Sequence, residues 1–280
     1  MALNRIAPAA SRNMLRAALF GMAVLALVGC SDDDDEPEYV ERPVEELYNT
    51  AMDALEARNW PVAVENFEEV DRQHPYSVWA TKAQLMSAYS NYMRDRYDEA
   101  VIGLERFIEL HPGNEDTPYA YYLIGLSYYE QISDIGRDQK MTQLALTSLE
   151  EVVRRFPRTA YARDARLKID LARDHLAGKE VEIGRFYQRR GEHLAAINRF
   201  RVVVEQFQTT THVPEALHRI VESYLALGVT EEARMAAAVL GHNFPGSVWY
   251  SDSYALLGGN VPGGQPAEQS WYARVWNWAF

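Results

Sequence analysis

Hydrophobic positions along the middle of the chain recur with the spacing of paired α-helices. Five alanines act as landmarks, and the residues four, seven and eleven places after each are mostly large and apolar. The landmarks are Ala63, Ala100, Ala145, Ala196 and Ala233. Offsets of four, seven and eleven lie on one helical face, which buries against a neighbouring helix. The pattern therefore predicts five amphipathic helices in a repeating array.

A helix-ending position follows each landmark alanine by twelve residues. Four of these five positions are proline, which lacks a backbone N–H and clashes with the preceding turn. The positions are Pro75, Pro112, Pro157, Gln208 and Pro245. Soon after three of them, Ser77, Thr159 and Ser247 can cap the next helix through their hydroxyl groups. Each repeat is therefore predicted to be a helix, a turn and a second helix.

The first helix of each pair carries its own signature, in which an isoleucine, often followed by glycine, precedes a tyrosine. The examples are Ile124-Gly125 with Tyr128, Ile183-Gly184 with Tyr187, and Ile220 with Tyr224. Together with the landmarks, this signature resembles the tetratricopeptide pattern, in which small residues let two helices touch. We predict an all-α, tetratricopeptide-like superhelix of about five repeats over residues 44–250, with essentially no sheet. An extra loop is expected around Ser133–Lys140, and one long helix from Thr159 to Arg190, with Gly178 as the place for a bend.

The N-terminal segment is typical of a lipoprotein signal. Three arginines precede an apolar run at 17–28, which is too short for a membrane-spanning helix of about 20 residues. The run ends in Leu27-Val28-Gly29-Cys30, which resembles the lipobox of bacterial lipoproteins. We predict a signal peptide at 1–29 and lipidation of Cys30, with no other cofactor. The alternative is a chance cysteine beside an ordinary cleavage site.

Charge and cysteine content narrow the possible functions. Cys30 is the only cysteine, so the chain has no disulfide framework and no cysteine nucleophile. Residues 30–43 are rich in Asp and Glu and are predicted to be a lipidated, flexible acidic tether. Loss of three arginines with the signal takes the net charge from −12 to −15 (−12 − 3). Such an acidic chain argues against nucleic acid as a partner.

The other chemistry-bearing residues do not form a catalytic motif. The seven histidines show no metal-ligand spacing, and His74 and His111 stand where other repeats have phenylalanine. No metalloprotease helix, phosphate-binding loop or nucleophile elbow is present in the sequence. Acidic pairs such as Glu68-Glu69 are interpreted as solvated helix faces. We therefore predict that the protein is not an enzyme and binds no metal.

Tyrosines accumulate on the first helices, which line the concave surface of tetratricopeptide arrays. The predicted groove residues are Tyr48, Tyr89, Tyr92, Tyr119, Tyr122 and Tyr129. Tyrosine combines apolar area with a hydrogen-bonding tip, which suits recognition of an extended peptide. The alternative is that these rings only pack between repeats.

A basic cluster stands out in the acidic chain, at the start of the rear half. It consists of Arg185, Arg189, Arg190, Arg199 and Arg201. Guanidinium groups pair with carboxylates in a bidentate manner, so an acidic patch on a partner is the natural target. The alternative is pairing within the chain, with Glu182, Glu192 or Glu205.

The C-terminal residues 251–280 form a predicted Gly/Pro linker and an aromatic tail. Tyr272, Trp276, Trp278 and Phe280 would share one side of an extended strand. The tail resembles the aromatic C-terminal strand of an outer-membrane barrel protein, so it could occupy the tyrosine groove as a self-ligand. The alternative is a short segment that folds back on the last repeat.

Several short segments carry a resemblance to one family. They are Leu47-Tyr48 with Asn59-Trp60, Arg106-Phe107-Ile108, Phe156-Pro157 with Tyr161, and Arg190-Gly191 followed by Asn198-Arg199. With the lipobox and the repeats, they resemble the BamD (ComL/YfiO) family, lipoproteins of the outer-membrane barrel-assembly machine. The resemblance covers residues 44–250, and the aromatic tail departs from the shorter members.

The resemblance implies a non-enzymatic scaffold at the periplasmic face of the outer membrane. Its rear half would bind the barrel-forming subunit BamA, and its front groove would receive unfolded outer-membrane protein precursors. The implied BamA-binding residues are Arg185, Arg189, Arg190, Asn198 and Arg199. Other subunits of the complex are expected as partners. A periplasmic adaptor for peptidoglycan enzymes or the Tol system is the alternative. Such adaptors often carry a coiled-coil segment, and the sequence shows no sustained heptads.

Overall fold

The computed structural model describes residues 41–258, which contain eleven α-helices and no β-strand. The helices are α1 Val44–Glu56, α2 Trp60–Gln73, α3 Val78–Met93, α4 Tyr97–Leu110, α5 Thr117–Tyr129, α6 Lys140–Arg155, α7 Ala160–Arg189, α8 His193–Gln206, α9 Val213–Ala226, α10 Thr230–Asn243 and α11 Val248–Leu257. Contacts divide the chain between Glu41 and Arg42, and the fold described here belongs to the unit that starts at Arg42. The predicted all-α class is confirmed.

The helices form two layers. Each helix packs against the next, so that α1 to α10 make five antiparallel pairs and α11 closes the stack. The odd-numbered helices also contact one another along the stack, whereas within the described chain the even-numbered helices do not. We call the odd-numbered helices the inner layer, because they touch one another along the stack. The first helix of each predicted pair belongs to this inner layer.

The landmark alanines mark the closest helix contacts. All five are fully buried, and each second helix also buries a large apolar residue, such as Phe67, Phe107 or Phe200. A side chain at Gly184 would collide with the Phe200 ring, and one at Gly125 would come within 2.7 Å of Leu149 Cδ2. Small residues thus let the two helices of a pair approach, because there is no space for a methyl group between them.

The predicted helix boundaries are confirmed at the turns. Ser77 Oγ and Thr159 Oγ1 each accept the amide hydrogen of the residue three places on at 3.1 Å, and Ser247 Oγ accepts that of Trp249 at 3.2 Å. These bonds satisfy donors that the first helical turn leaves unpaired. His111 ends α4, and its Nε2 lies 3.1 Å from Gln84 Oε1, which confirms a structural role.

The long helix and the extra loop are both present. Helix α7 runs unbroken through Gly178, so the bend expected there does not interrupt it, and the glycine instead allows His212 to approach. The loop between α5 and α6 rests on α7, because His175 Nε2 lies 2.8 Å from the Ser133 carbonyl oxygen and Lys179 Nζ lies 3.2 Å from that of Gly136.

The end of the stack differs from the predicted boundary at residue 250. Helix α11 continues to Leu257, whose side chain is buried against Val221, Ala233 and Ala237. The array therefore extends through 257, since the last helix covers the apolar face of the fifth pair. Within residues 41–258, no helix has the length and apolar character needed to cross a bilayer. The predictions for the signal peptide, Cys30, most of the tether and the aromatic tail fall outside the described residues.

Candidate functional site

Five half-buried tyrosines lie near one another on the inner layer of the front half, and we call this group the tyrosine strip. Its members are Tyr89 and Tyr92 on α3, Tyr119 and Tyr122 on α5, and Tyr161 on α7. The ring centroids of Tyr119 and Tyr122 each lie 5.4 Å from that of Tyr161. Each of these rings keeps part of its surface open to solvent, so the strip presents aromatic area together with phenolic groups.

Carboxylates and one lysine border the tyrosine strip. The Tyr122 hydroxyl donates a hydrogen bond to Asp164, and the Tyr92 hydroxyl donates one to Glu130. Lys168 Nζ lies 3.0 Å from Asp164 Oδ2 and 5.5 Å from the ring centroid of Tyr129. The contact with Asp164 fixes the orientation of the Tyr122 phenol, because Tyr122 lies on α5 and Asp164 on α7. Glu130 directly follows the end of α5.

The electrostatic setting keeps these phenols protonated. Burial, followed by the Glu130 carboxylate, raises the pKa of Tyr92 to about 12. Burial also raises the pKa of Tyr119, and burial together with the bond to Asp164 raises that of Tyr122. In the other direction, the bond from Tyr122 lowers the pKa of Asp164. At neutral pH the phenols of Tyr92, Tyr119 and Tyr122 are therefore neutral, and the Asp164 carboxylate that accepts from Tyr122 is ionised.

The six tyrosines predicted to line the groove are not all brought together. Tyr48 lies in a separate cluster, with its ring centroid 4.7 Å from that of Trp79 and 5.6 Å from that of Phe67. Tyr129 borders a cavity of about 530 Å³ between the extra loop and α7. The predicted set also omitted Tyr161, which joins Tyr119 and Tyr122. The sequence contained a signal for Tyr161, because this residue follows the Thr159 cap by two positions, as Trp79 follows Ser77.

Arg185 and Arg199 are engaged between helices of the rear half. Arg185 makes a bidentate pair with Glu215 on α9, with Nε–Oε1 and Nη2–Oε2 distances of 2.8 and 2.5 Å, and that carboxylate is buried. Arg199 on α8 reaches Glu180 on α7 at 3.2 Å. Both arginines therefore tie neighbouring helices together, and the side chain of Arg199 remains 43% exposed.

The remaining predicted docking residues lie at the surface near the α7–α8 turn. Arg189 and Arg190 have side chains 64% and 59% exposed, with Glu182 at 3.5 Å from the first and Glu192 at 3.0 Å from the second. Asn198 is exposed on α8. The pairing with Glu182 and Glu192 that sequence analysis left open is therefore present. Because these pairs are solvent-exposed, a partner carboxylate could replace them at little cost.

A polar network on the rear inner surface was missed by sequence analysis. His218 is almost fully buried; its Nδ1 lies 2.8 Å from Ser253 Oγ and its Nε2 lies 3.3 Å from Glu222. Arg219 Nη1 donates to Glu222 at 2.7 Å and its guanidinium lies over the Trp249 ring. Burial of the Glu222 carboxyl opposes its ionisation, but hydrogen bonds from His218 and Arg219 outweigh burial and lower its pKa to about 2.

Comparison with known proteins identifies relatives over most of the chain. A family model described as "YfiO: Outer membrane lipoprotein" matches residues 40–240. The outer membrane protein assembly factor BamD of Caulobacter vibrioides is 52% identical over 85% of this chain and 79% of its own. The BamD proteins of Rickettsia prowazekii and Neisseria meningitidis serogroup A are 48% and 32% identical, over 83% and 90% of this chain and 92% and 96% of theirs.

Among solved structures, the tetratricopeptide domain of P58(IPK) matches 76% of this chain and 55% of its own at 15% identity, with a TM-score of 0.41. The family model, by contrast, matches well over half of the residues of the chain. The chain therefore belongs to the YfiO family of outer membrane lipoproteins, together with the BamD assembly factors.

Proposed function

We propose that this protein is a non-enzymatic assembly factor for outer-membrane β-barrel proteins. Two relatives that are 52% and 48% identical over the aligned residues carry the name of outer membrane protein assembly factor. The observation that carries the proposal is the tyrosine strip, a partly open aromatic surface on the inner layer of the front half. Such a surface suits the binding of a peptide chain, because it offers aromatic area and oriented hydrogen-bonding groups.

The precursor site in this proposal is the tyrosine strip. An extended peptide that ends in aromatic residues could stack its rings on Tyr119, Tyr122 and Tyr161, whose side chains lose few rotamers on binding. Phenols held by Asp164 and Glu130 are already oriented, so binding does not have to order them. Tyr48 and Tyr129 lie outside the strip and are not part of the proposed site.

The docking site for BamA in this proposal is the surface around the α7–α8 turn. Arg189, Arg190, Asn198 and Arg199 are exposed or half-exposed there and can pair with carboxylates of a partner. Arg185 supports this surface from within the fold, because its guanidinium group is paired with the buried carboxylate of Glu215. Precursor capture and subunit docking thus use opposite halves of one scaffold.

Membrane attachment in this proposal is through Cys30. Its acyl chains would hold the scaffold at the inner leaflet of the outer membrane, on the periplasmic side. More than one chain is needed for durable anchoring, which lipoprotein-type triacylation would supply. The protein then needs no cofactor beyond this covalent lipid.

Affinity purification from gently solubilised outer membranes tests the proposal. A tagged full-length chain should retain BamA and other subunits of the barrel-assembly machine in the eluate. A chain that carries Arg199→Glu is the matched control and should retain less BamA. Recovery of Tol proteins or peptidoglycan transpeptidases in place of BamA would contradict the proposal and favour the adaptor alternative.

A further inference from the structure

The turn between α2 and α3 exposes two apolar side chains. Tyr76 is fully exposed, with a relative accessibility of 102%, and Val78 is 80% exposed. A single exposed hydrophobic residue needs no explanation, but these two stand at one turn and are the most exposed large hydrophobic side chains among residues 41–258. The turn itself is well ordered by hydrogen bonds, because the Ser77 amide donates to the His74 carbonyl and the Ser77 hydroxyl caps α3.

The other repeats show that this turn folds without an aromatic residue. The position of Tyr76, one residue after the helix-ending position, is taken in the later repeats by Gly113, Arg158, Thr209 and Gly246. The turns at Thr159 and Ser247 make the same kind of cap as the turn at Ser77. Tyr76 is therefore an addition that the local structure does not require, and its ring is free to contact something outside the fold.

The same turn receives the N-terminal end of the folded unit. The Arg42 amide donates to Gln73 Oε1 at 2.8 Å, and His74 Nε2 lies 2.7 Å from the Arg42 carbonyl oxygen. Both partners stand within four residues of Tyr76. Arg42 follows Cys30 by twelve positions (42 − 30), so the lipidated position is at most about 40 Å of extended chain from Arg42, which contacts this turn.

We propose that the α2–α3 turn is a membrane contact, in which Tyr76 and Val78 insert at the level of the lipid headgroups. The inference rests on the lipid anchor at Cys30 that the proposed function includes. Tyrosine favours the membrane interface because its ring is apolar and its hydroxyl stays hydrated, and valine adds apolar area beside it. The acyl chains hold the protein at the leaflet, and the turn gives it one orientation there. The inner layer then has a fixed direction relative to the membrane.

Site-specific fluorescence in vesicles tests this contact on the full, lipidated chain. Tyr76→Cys is labelled with a polarity-sensitive fluorophore, and Cys30 does not compete because it is the only native cysteine and is acylated. The vesicles contain phosphatidylethanolamine, phosphatidylglycerol and a lipid-borne spin quencher. Thr209→Cys is the matched control, because it has the same turn position in the fourth repeat and is exposed. A Val78→Cys label gives a second, independent reading.

Quenching at positions 76 and 78 should be at least about twofold stronger than at 209, with a blue-shifted emission at 76. Equal, weak quenching at all three positions, in protein that still floats with the vesicles, would overturn the inference and leave the lipid anchor intact. A blue shift that appears at 76 only after a protein partner is added would also overturn it. Failure of the lipidated chain to float would instead contradict the anchor at Cys30.

Discussion

Gly184 shows how a single absent side chain sets the distance between helices. It lies on α7 opposite Phe200 on α8, and an added methyl group would overlap the phenylalanine ring. The ring is completely buried, so it has no free space into which it can turn. The isoleucine–glycine signature in the sequence therefore marks a packing requirement rather than a flexible position.

The substitution Gly184→Ala should lower the free energy of unfolding by about 1–3 kcal/mol, because the enlarged side chain overpacks the α7–α8 contact. Urea unfolding followed by circular dichroism measures the change. Gly246→Ala is the control, since its added methyl group meets no heavy atom within 4 Å. Equal stability of the two variants would contradict the packing role assigned to Gly184.

Glu222 makes stability depend on acid pH. Its pKa in the folded protein is about 2, below the ordinary 4.5 of a glutamate, because bonds from His218 and Arg219 outweigh its burial. A lowered pKa stabilises the fold above pH 4.5, and the stabilisation is lost as pH falls from about 4.5 towards 2. The shift corresponds to at most about 3 kcal/mol.

Glu222→Gln should therefore destabilise the protein at pH 7 and flatten the loss of stability between pH 5 and 3, because the uncharged amide does not titrate. Urea midpoints across this pH range give the measurement. Glu205→Gln, at an exposed surface pair with Arg201, serves as the control and should keep the native slope. An unchanged slope in Glu222→Gln would show that the network contributes nothing to acid sensitivity.

At the scale of elements, the sequence predicted what depends on local chemistry. Hydroxyl caps, helix-ending prolines and buried landmark alanines each act within one or two turns of their own helix, so the pairs could be placed without coordinates. The contacts between side chains on different helices could not be predicted in this way. Tyr48 and Tyr122 occupy first helices alike, yet one packs on Trp79 and the other bonds Asp164. That difference depends on how the helices cross, which periodicity does not encode.

The arginines of α7 and α8 illustrate the same limit. Their sequence indicated a basic cluster, but the structure pairs each of them with a glutamate. Arg185 could not have been separated from Arg199 by sequence alone, because its partner Glu215 lies thirty residues away on another helix. Burial of the partner carboxylate then distinguishes the two arginines, because the Glu215 side chain is 8% exposed and that of Glu180 is 21% exposed.

At this scale we expect Arg199→Glu to weaken binding to BamA by about 2 kcal/mol, roughly 30-fold in affinity, since an attractive charge pair becomes repulsive. Binding of purified BamA periplasmic domains, measured by calorimetry, gives the value. Arg201→Glu on the same helix is the control, because its partner Glu205 lies one turn away and both are exposed.

A second variant separates docking from folding. Glu180→Gln removes the internal partner of Arg199 and leaves the arginine in place. If Arg199 only joined α7 to α8, this variant would weaken BamA binding as much as Arg199→Glu does. The proposal predicts near-native affinity, and an equal loss in the two variants would count against a direct contact.

The whole molecule separates two chemistries on one scaffold. The front half of the inner layer presents phenols bordered by carboxylates, whereas the rear half carries guanidinium groups and the network of Glu215 and Glu222. Repeats that contact only their neighbours allow such division, because one pair can change its surface without disturbing the next. A precursor and a membrane-embedded subunit could therefore be held at the same time.

The central claim is that the tyrosine strip binds the aromatic C-terminus of a precursor. The direct measurement is the affinity of the full-length chain for a synthetic peptide with an aromatic C-terminus, by fluorescence anisotropy. Tyr122→Ala should weaken binding by about 1–2 kcal/mol, or roughly 5- to 30-fold. Tyr121→Ala is the control, since the neighbouring ring on α5 contacts Phe156 and Arg155 instead of the strip, and it should bind like the native chain. Equal affinity of both variants and the native chain would contradict the account.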